Sequence, residues 1–155
     1  PPCAAGLPDL LAMAAAALKA QLNALLDSMF ATGIVDEGFQ HLRSVEQEGF
    51  LAQVINIFLH DADNILHEIA RLLNLPVVNF GRVGALVHEL KGCSGSVVAK
   101  KVNLSYTHFR QFYEAESKEG CLMALDLVRN EFYEVFNKLQ TMMQLEQQIA
   151  AMGPQ

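Results

Sequence analysis

The stretch Val83-Gly84-Ala85-Leu86-Val87-His88-Glu89-Leu90-Lys91-Gly92-Cys93-Ser94-Gly95-Ser96-Val97 carries the pattern that decides the fold. Val83, Val87, Leu90, Ser94 and Val97 recur in alternating four- and three-residue steps, the period of a helix with one inward face. At about 100° per residue, His88 lies about 140° from the mean of that face, so it points to solvent. Gly81, Gly84, Gly92 and Gly95 fall within about 40° of it, and Lys91 flanks it at about 60°. A glycine inside a helix costs about 0.5–1 kcal/mol relative to alanine. A stripe of them beside one histidine implies that something bulky comes close to its ring. The plainer readings are a close helix crossing, or a helix that ends early near Gly92.

The same period extends in both directions. Leu18, Leu22, Leu25, Leu26 and Met29 give a first helix over about 13–30, ended by Thr32-Gly33. Asp36 is placed to cap a short second helix carrying Phe39, Leu42 and Val45 and closed near Gly49. In a long third helix Phe50, Val54, Ile57, Asp61, Ile65, Ile69 and Leu72 stand in phase, and Asn74 and Pro76 stop it. The fourth begins after Asn79. A fifth starts near Ser105 with Phe109, Phe112 and Tyr113 inward, and breaks around Gly120. The last runs from about Cys121 to Ala150 through Leu125, Val128, Phe132, Val135, Leu139 and Met142. Strand signals are few, so the pattern predicts an all-α fold, an antiparallel four-helix bundle with two additional N-terminal helices. Residues 1–12 are expected to be an expression remnant or a disordered lead-in, because Met13 opens an Ala-rich, helix-favouring run.

The 155 residues are 52% hydrophobic and 18% charged, which suits one compact soluble domain and argues against disorder. The formal net charge of −6 disfavours nonspecific binding to nucleic acid or to anionic membranes. No apolar run is expected to approach the roughly 20 residues of a membrane span, and the apolar stretch Leu10 to Leu18 lacks a cationic leader. Cys3, Cys93 and Cys121 form no Cys-x-x-Cys pair, which speaks against a zinc site or disulfide framework and for a reducing compartment.

Near neutral pH a histidine serves as proton shuttle, metal ligand or nucleophile. No Ser/His/Asp arrangement accompanies His88. Leu90-Lys91-Gly92 follows His88-Glu89, so the second histidine of a His-Glu-x-x-His zinc helix is missing. The Glu-x-x-His pairs of a di-iron bundle are absent too. His41, His60, His67 and His108 lie on separate predicted helices or too far apart to form a ligand set, so no metal site is expected. Asp61 and Asp63 diverge on a helix, and Asp61 falls in the apolar phase, where a structural role is expected. Phosphoryl acceptance fits His88 better. An exposed imidazole nitrogen can attack in line, the Lys91 ammonium can balance phosphoryl charge, and the glycines admit a bulky partner.

Val87-His88-Glu89-Leu90-Lys91-Gly92-Cys93-Ser94 resembles the His-x-Leu-Lys-Gly-Ser-Ser signature of histidine-containing phosphotransfer proteins, the plant cytokinin-pathway branch most of all. The likeness runs over nearly the whole chain from Met13. It includes Leu22-Asn23-Ala24-Leu25-Leu26, Ser28-Met29-Phe30, Asp61-Ala62-Asp63, Ala99-Lys100-Lys101-Val102 and Val128-Arg129-Asn130-Glu131-Phe132-Tyr133. The closing Leu145-Glu146-Gln147-Gln148-Ile149 also looks like that branch.

The resemblance implies one histidine phosphotransfer domain over 13–152. The family's phosphoacceptor falls on His88, its lysine on Lys91 as electrostatic support, its glycine on Gly92 as steric clearance and one signature serine on Ser94. Gly84, Gly95, Arg82 and Lys100 are further residues expected to admit or meet a partner. Resemblance implies a phosphorelay intermediate of the cytoplasm and nucleus. It would take a phosphoryl group from the receiver domain of a hybrid sensor histidine kinase and pass it to the receiver domain of a response regulator. Mg²⁺ would sit on the receiver. This chain would act as a monomer with no cofactor, no ATP-binding kinase site and no nucleic-acid or membrane partner.

The chain departs from the branch at several positions. Glu89 replaces the usual glutamine, Cys93 a serine and Val98 a glycine, Gly95 sits within the serine-rich run, and Gly81 and Gly84 replace polar residues. Relatives with asparagine at the acceptor position act as inhibitors, and His88 argues against that class. The departures motivate an alternative, a noncatalytic helical adaptor that binds receivers and competes with active relatives. A metal-binding bundle is the third reading.

Overall fold

Helix ends in this chain follow the chemistry of a few residues. The computed structural model describes residues 6–44, 50–94 and 100–153, without the side chains at 42, 44, 50, 94 and 100–104. Helix α1 (Leu7–Ala31) begins behind Gly6 with Pro8 in its first turn, where the missing N–H would have had no partner. Its end is a left-handed glycine turn: Gly33 has φ 73°, and the Gly33 and Ile34 N–H groups return to the carbonyls of Phe30 and Met29. Asp36 caps α2 (Glu37–Ser44), its Oδ1 accepting from the Phe39 N–H at 3.3 Å. Pro76 follows the end of α3 (Phe50–Leu73). Asn79 caps α4 (Phe80–Ser94), its Oδ1 accepting from the Arg82 N–H at 3.0 Å. Ser117 caps α6 (Lys118–Ala151), taking the Gly120 N–H at 3.1 Å.

The fifth helix, α5 (Lys100–Glu114), ends without a glycine. Ser117 N–H returns to the Phe112 carbonyl and Glu116 N–H to that of Tyr113, the same pattern that closes α1. Here Glu116 takes the left-handed position at φ 55°, which costs a side-chain-bearing residue about 1 kcal/mol or more.

Helices α3, α4, α5 and α6 pack in a ring, each on the next with α3 closing on α6, and α1 lies against α6. The sealed interior includes Ile55, Ile69, Val83, Leu90, Phe109 and Leu139, and the Phe58 and Phe132 rings stack across α3 and α6 at 5.4 Å. Short helix α2 joins the fold through buried Phe39 and through Arg43, whose Nη2 donates to Glu146 on α6 at 3.0 Å. The expected all-α bundle with two N-terminal helices is what the chain forms, and the described residues contain no strand. Cys93 is half-buried and Cys121 buried. Burial pushes the Cys121 thiol up to about 11, since a thiolate there would lose its hydration.

Five expectations need correction. Helix α1 starts at Leu7 rather than Met13, so residues 7–12 of the expected lead-in are helical. The whole helix has 25 residues with an 18-residue window of mean hydropathy 1.3, long and apolar enough by length and composition to cross a membrane. Its length is carried by alanines, which a search for leucine runs passes over, and Ala15, Leu22 and Met29 are buried in the fold. In α3 the inward phase is Leu51, Ile55, Phe58, Ala62, Ile65 and Ile69, while Asp61 and Ile57 are exposed. The expected phase is one residue out of register there, because Ile57 looks as apolar as its neighbours. Helix α5 is already helical at Lys100 rather than starting near Ser105. Gly120 does not break the chain; it lies inside the first turn of α6.

Candidate functional site

Capping by Asn79 sets the start of α4, and the burial of Val83, Leu86, Val87 and Leu90 sets its rotation. His88 is thereby turned outward and is exposed, as are Glu89, Lys91 and Gly92. A Cβ built on Gly92 would have nothing within 4 Å. The approach over that glycine is open.

The neighbouring helix completes the site. A cleft of about 380 Å³ runs between α4 and α5, with Val87, His88 and Lys91 on one side. Tyr106, Thr107, Arg110, Tyr113 and Glu114 form the other. Buried Tyr106 donates its hydroxyl to the Leu90 carbonyl at 3.4 Å, tying α5 to the turn that carries His88 and Lys91. Arg110 Nε donates to Glu114 Oε1 at 2.8 Å. That hydrogen bond, and then the carboxylate charge, hold the Arg110 guanidinium above its ordinary range. An exposed imidazole thus shares a cleft with one ammonium and one guanidinium. This is a place where a nucleophilic nitrogen and a transferred anion can meet.

Sequence-based candidates divide under this geometry. His88 and Lys91 line the same cleft, and Gly92, one turn after His88, is open to approach. Gly84 is not open: a Cβ there would stand 2.8 Å from Tyr113 Cε1, so this chain's own α5 fills the space expected for a partner. Gly81 is exposed, near the capping Asn79 Oδ1. Arg82 is exposed in the first turn of α4 and does not line the cleft. Ser94 and Lys100 fall at helix ends with their side chains outside the description, and Gly95, Val97 and Val98 lie outside the described residues. Cys93 turns its thiol to the Leu90 carbonyl at 3.2 Å. Among the described residues, no group of three or more His, Cys, Asp or Glu is close enough to hold a metal ion.

A scan against models of known protein families finds no match. Individual proteins do match. Rice histidine-containing phosphotransfer protein 2 is 56% identical over 146 residues, spanning 92% of this chain and 98% of its own. A solved rice histidine-containing phosphotransfer protein superposes with a TM-score of 0.83 at 57% identity, over 86% of this chain and 98% of that one. The maize counterpart gives 0.81 at 52% identity, over 85% and 99%.

This chain belongs to the histidine-containing phosphotransfer family.

Members of the family work in two-component relays with receiver domains. Within that family setting, the α5 wall is the part that sequence reasoning missed. Tyr106, Thr107, Arg110 and Glu114 are distant from His88 in sequence and carry no motif. A signal was nonetheless present. Once Phe109 faces the core, the positions one residue beyond and three short of it fall on the flank toward a neighbouring helix.

Proposed function

We propose that His88 is the phosphoacceptor of a phosphorelay intermediate. One observation carries this reading. In a chain of the histidine phosphotransfer family, His88 stands exposed in a cleft with Lys91, beside a glycine whose approach is open. In the forward step an unprotonated ring nitrogen of His88 attacks the phosphorus of a receiver's aspartyl phosphate. A P–N bond forms as the P–O bond to the aspartate breaks, and the aspartate leaves as a carboxylate while the imidazole keeps the proton on its other nitrogen. The reverse exchange hands the group to a second receiver.

Lys91 stabilises the charge on the transferring group, and Gly92 lets the receiver bring its aspartate to the ring. The chain contributes an acceptor and a docking surface, with Mg²⁺ bound on the receiver and no cofactor of its own. Resemblance to the cytokinin-type branch supports hybrid sensor kinases as donors, response regulators as recipients, and a monomer shared by cytoplasm and nucleus.

Incubation with a phosphorylated receiver domain tests the assignment. Label should move to this chain as an acid-labile, alkali-stable adduct. If a His88→Gln variant takes up as much label as the parent, His88 is not the acceptor. Receiver binding without any transfer, where a related protein is labelled, would instead favour the noncatalytic adaptor.

A further inference from the structure

Arg110 faces a choice of anions once His88 is phosphorylated. It lines the same cleft as His88 and Lys91 but is engaged along its own helix, its Nε donating to Glu114 at 2.8 Å. Both partners are well exposed, at 68% and 57%. A solvated pair of this kind, one turn apart on a helix, is weak. A phosphoryl group on His88 would bring close to two negative charges into the cleft. It would also offer oxygens that match the two-pronged donor geometry of a guanidinium. The α4 side supplies only the point charge of Lys91. Among the charged side chains lining the cleft, Lys91 and Arg110 face one carboxylate, Glu114. The resting cleft is therefore mildly cationic and the phosphorylated one mildly anionic, and Arg110 is placed to turn from the weaker anion, Glu114, to the stronger one on His88.

We propose that Glu114 holds Arg110 in reserve, and that phosphorylation of His88 draws the guanidinium from Glu114 onto the phosphoryl oxygens. The exchange rests on His88 being the acceptor, and it takes place as the phosphoryl group arrives, so that the guanidinium meets the charge of the transition state as well as that of the product. The phosphorylated chain carries a bridge from α4 to α5 that the resting chain lacks. When the group moves on to a receiver, Arg110 returns to Glu114. Tyr106, fixed to the Leu90 carbonyl, keeps the two helices in register while the guanidinium moves.

The test uses the full chain and potassium phosphoramidate, a small donor that loses ammonia as a His88 nitrogen attacks its phosphorus. Leaving out the receiver removes any part Arg110 plays in docking. The readouts are the labelling rate at His88 and the position of the Arg110 Nε–H resonance before and after phosphorylation. The Nε–H signal should shift on phosphorylation in the parent. Arg110→Gln should slow labelling by about tenfold or more, with Arg110→Lys in between, since a lysine keeps the charge but loses the fork. Glu114→Gln should speed labelling by about twofold, the scale of a weak exposed pair, and should do nothing in an Arg110→Gln background. Labelling of Arg110→Gln at the parent rate, or a Glu114→Gln effect that survives without Arg110, would overturn the exchange while leaving His88 as acceptor. Label that never reaches His88 in the parent would sink both.

Discussion

Gly84 and Gly92 stand four residues before and four after His88 on the same helix face, and the fold treats them in opposite ways. Tyr113 lies over Gly84, while nothing approaches Gly92. On the Gly84 side the bareness of α4 is used internally, to let α5 close against it. On the Gly92 side the bareness stays available to another molecule. Closed packing before His88 holds the cleft wall in place, and open space after it leaves room for a partner. The filled side continues into α6, where Gly120 meets the Phe112 ring and Cys121 is sealed beneath. One glycine pattern in the sequence therefore serves two purposes, rigidity on one side of His88 and access on the other.

The largest effect is expected at the most tightly filled glycine. A Cβ on Gly120 would overlap the Phe112 ring at Cδ1, Cγ and Cε1, in the turn where α5 passes into α6. Overpacking typically costs about 1–3 kcal/mol, against a gain of about 0.5–1 kcal/mol for replacing a helical glycine. Gly120→Ala should therefore destabilise the fold by about 1–2 kcal/mol in urea unfolding. A variant as stable as the parent would show that Phe112 moves freely, and that the filled side is softer than its packing implies.

On the open side the expected loss is functional. Gly92→Gln places a side chain where a receiver would approach, and transfer from a phosphorylated receiver should slow by about tenfold, about 1.4 kcal/mol in the barrier. Unfolding should be no easier than in the parent, because glycine is a poor helix former there. Unchanged transfer kinetics would mean that the open space is not the route of approach.

How far the sequence reveals this arrangement depends on whether a feature is local. The end of α1 was legible because Gly33 occupies the left-handed position that glycine favours. The end of α5 uses the same hydrogen-bond pattern with Glu116 in that position, so the eye passes on to Gly120. The outward turn of His88 followed from the period of α4 alone. That Gly84 is filled did not, because the side chain that fills it comes from residue 113, and helix period carries no information about which residue of another helix arrives. The period of α5 likewise puts Arg110 on a flank toward some neighbouring helix, without saying that His88 stands across from it. In α3 the phase is ambiguous: Ile57 and Asp61 fit a four-residue step as well as Phe58 and Ala62 do, and packing against α4 and α6 selects between them.

Cys121 gives the filled side a pH signature. Its thiol sits at about 11 in the fold against an ordinary 9.0. Below about pH 9 the thiol is protonated in both folded and unfolded chains, and its contribution to stability is complete. Between 9 and 11 the unfolded chain ionises first, so stability falls as pH rises, by about 1 kcal/mol at pH 10. Urea unfolding at pH 8 and pH 10 should show that loss in the parent. Other groups titrating in the window contribute equally to both chains, so Cys121→Ala should lose less between the two pH values. Equal losses would show that the thiol is better hydrated than its burial suggests.

The smallest stability effect is expected at Gly84, and it is the one that tests the comparison most directly. Ala at this position gains about 0.5–1 kcal/mol of helix propensity, while its methyl meets the Tyr113 ring at 2.8–3.3 Å. Tyr113 is only half-buried and can swing outward, so the two contributions should nearly cancel, leaving a net change within about 0.5 kcal/mol. The cleft should respond more than the stability does. With Tyr113 displaced, the α5 wall beside His88 shifts, and transfer to His88 should slow by about two- to threefold, because a misplacement of about 1 Å in a reacting site is already costly. Trimming the ring in a Gly84→Ala, Tyr113→Leu double variant should restore part of the rate. A single variant slowed as much as Gly92→Gln, with no recovery in the double variant, would make Gly84 part of the partner's path after all, and the two sides of His88 would then be alike.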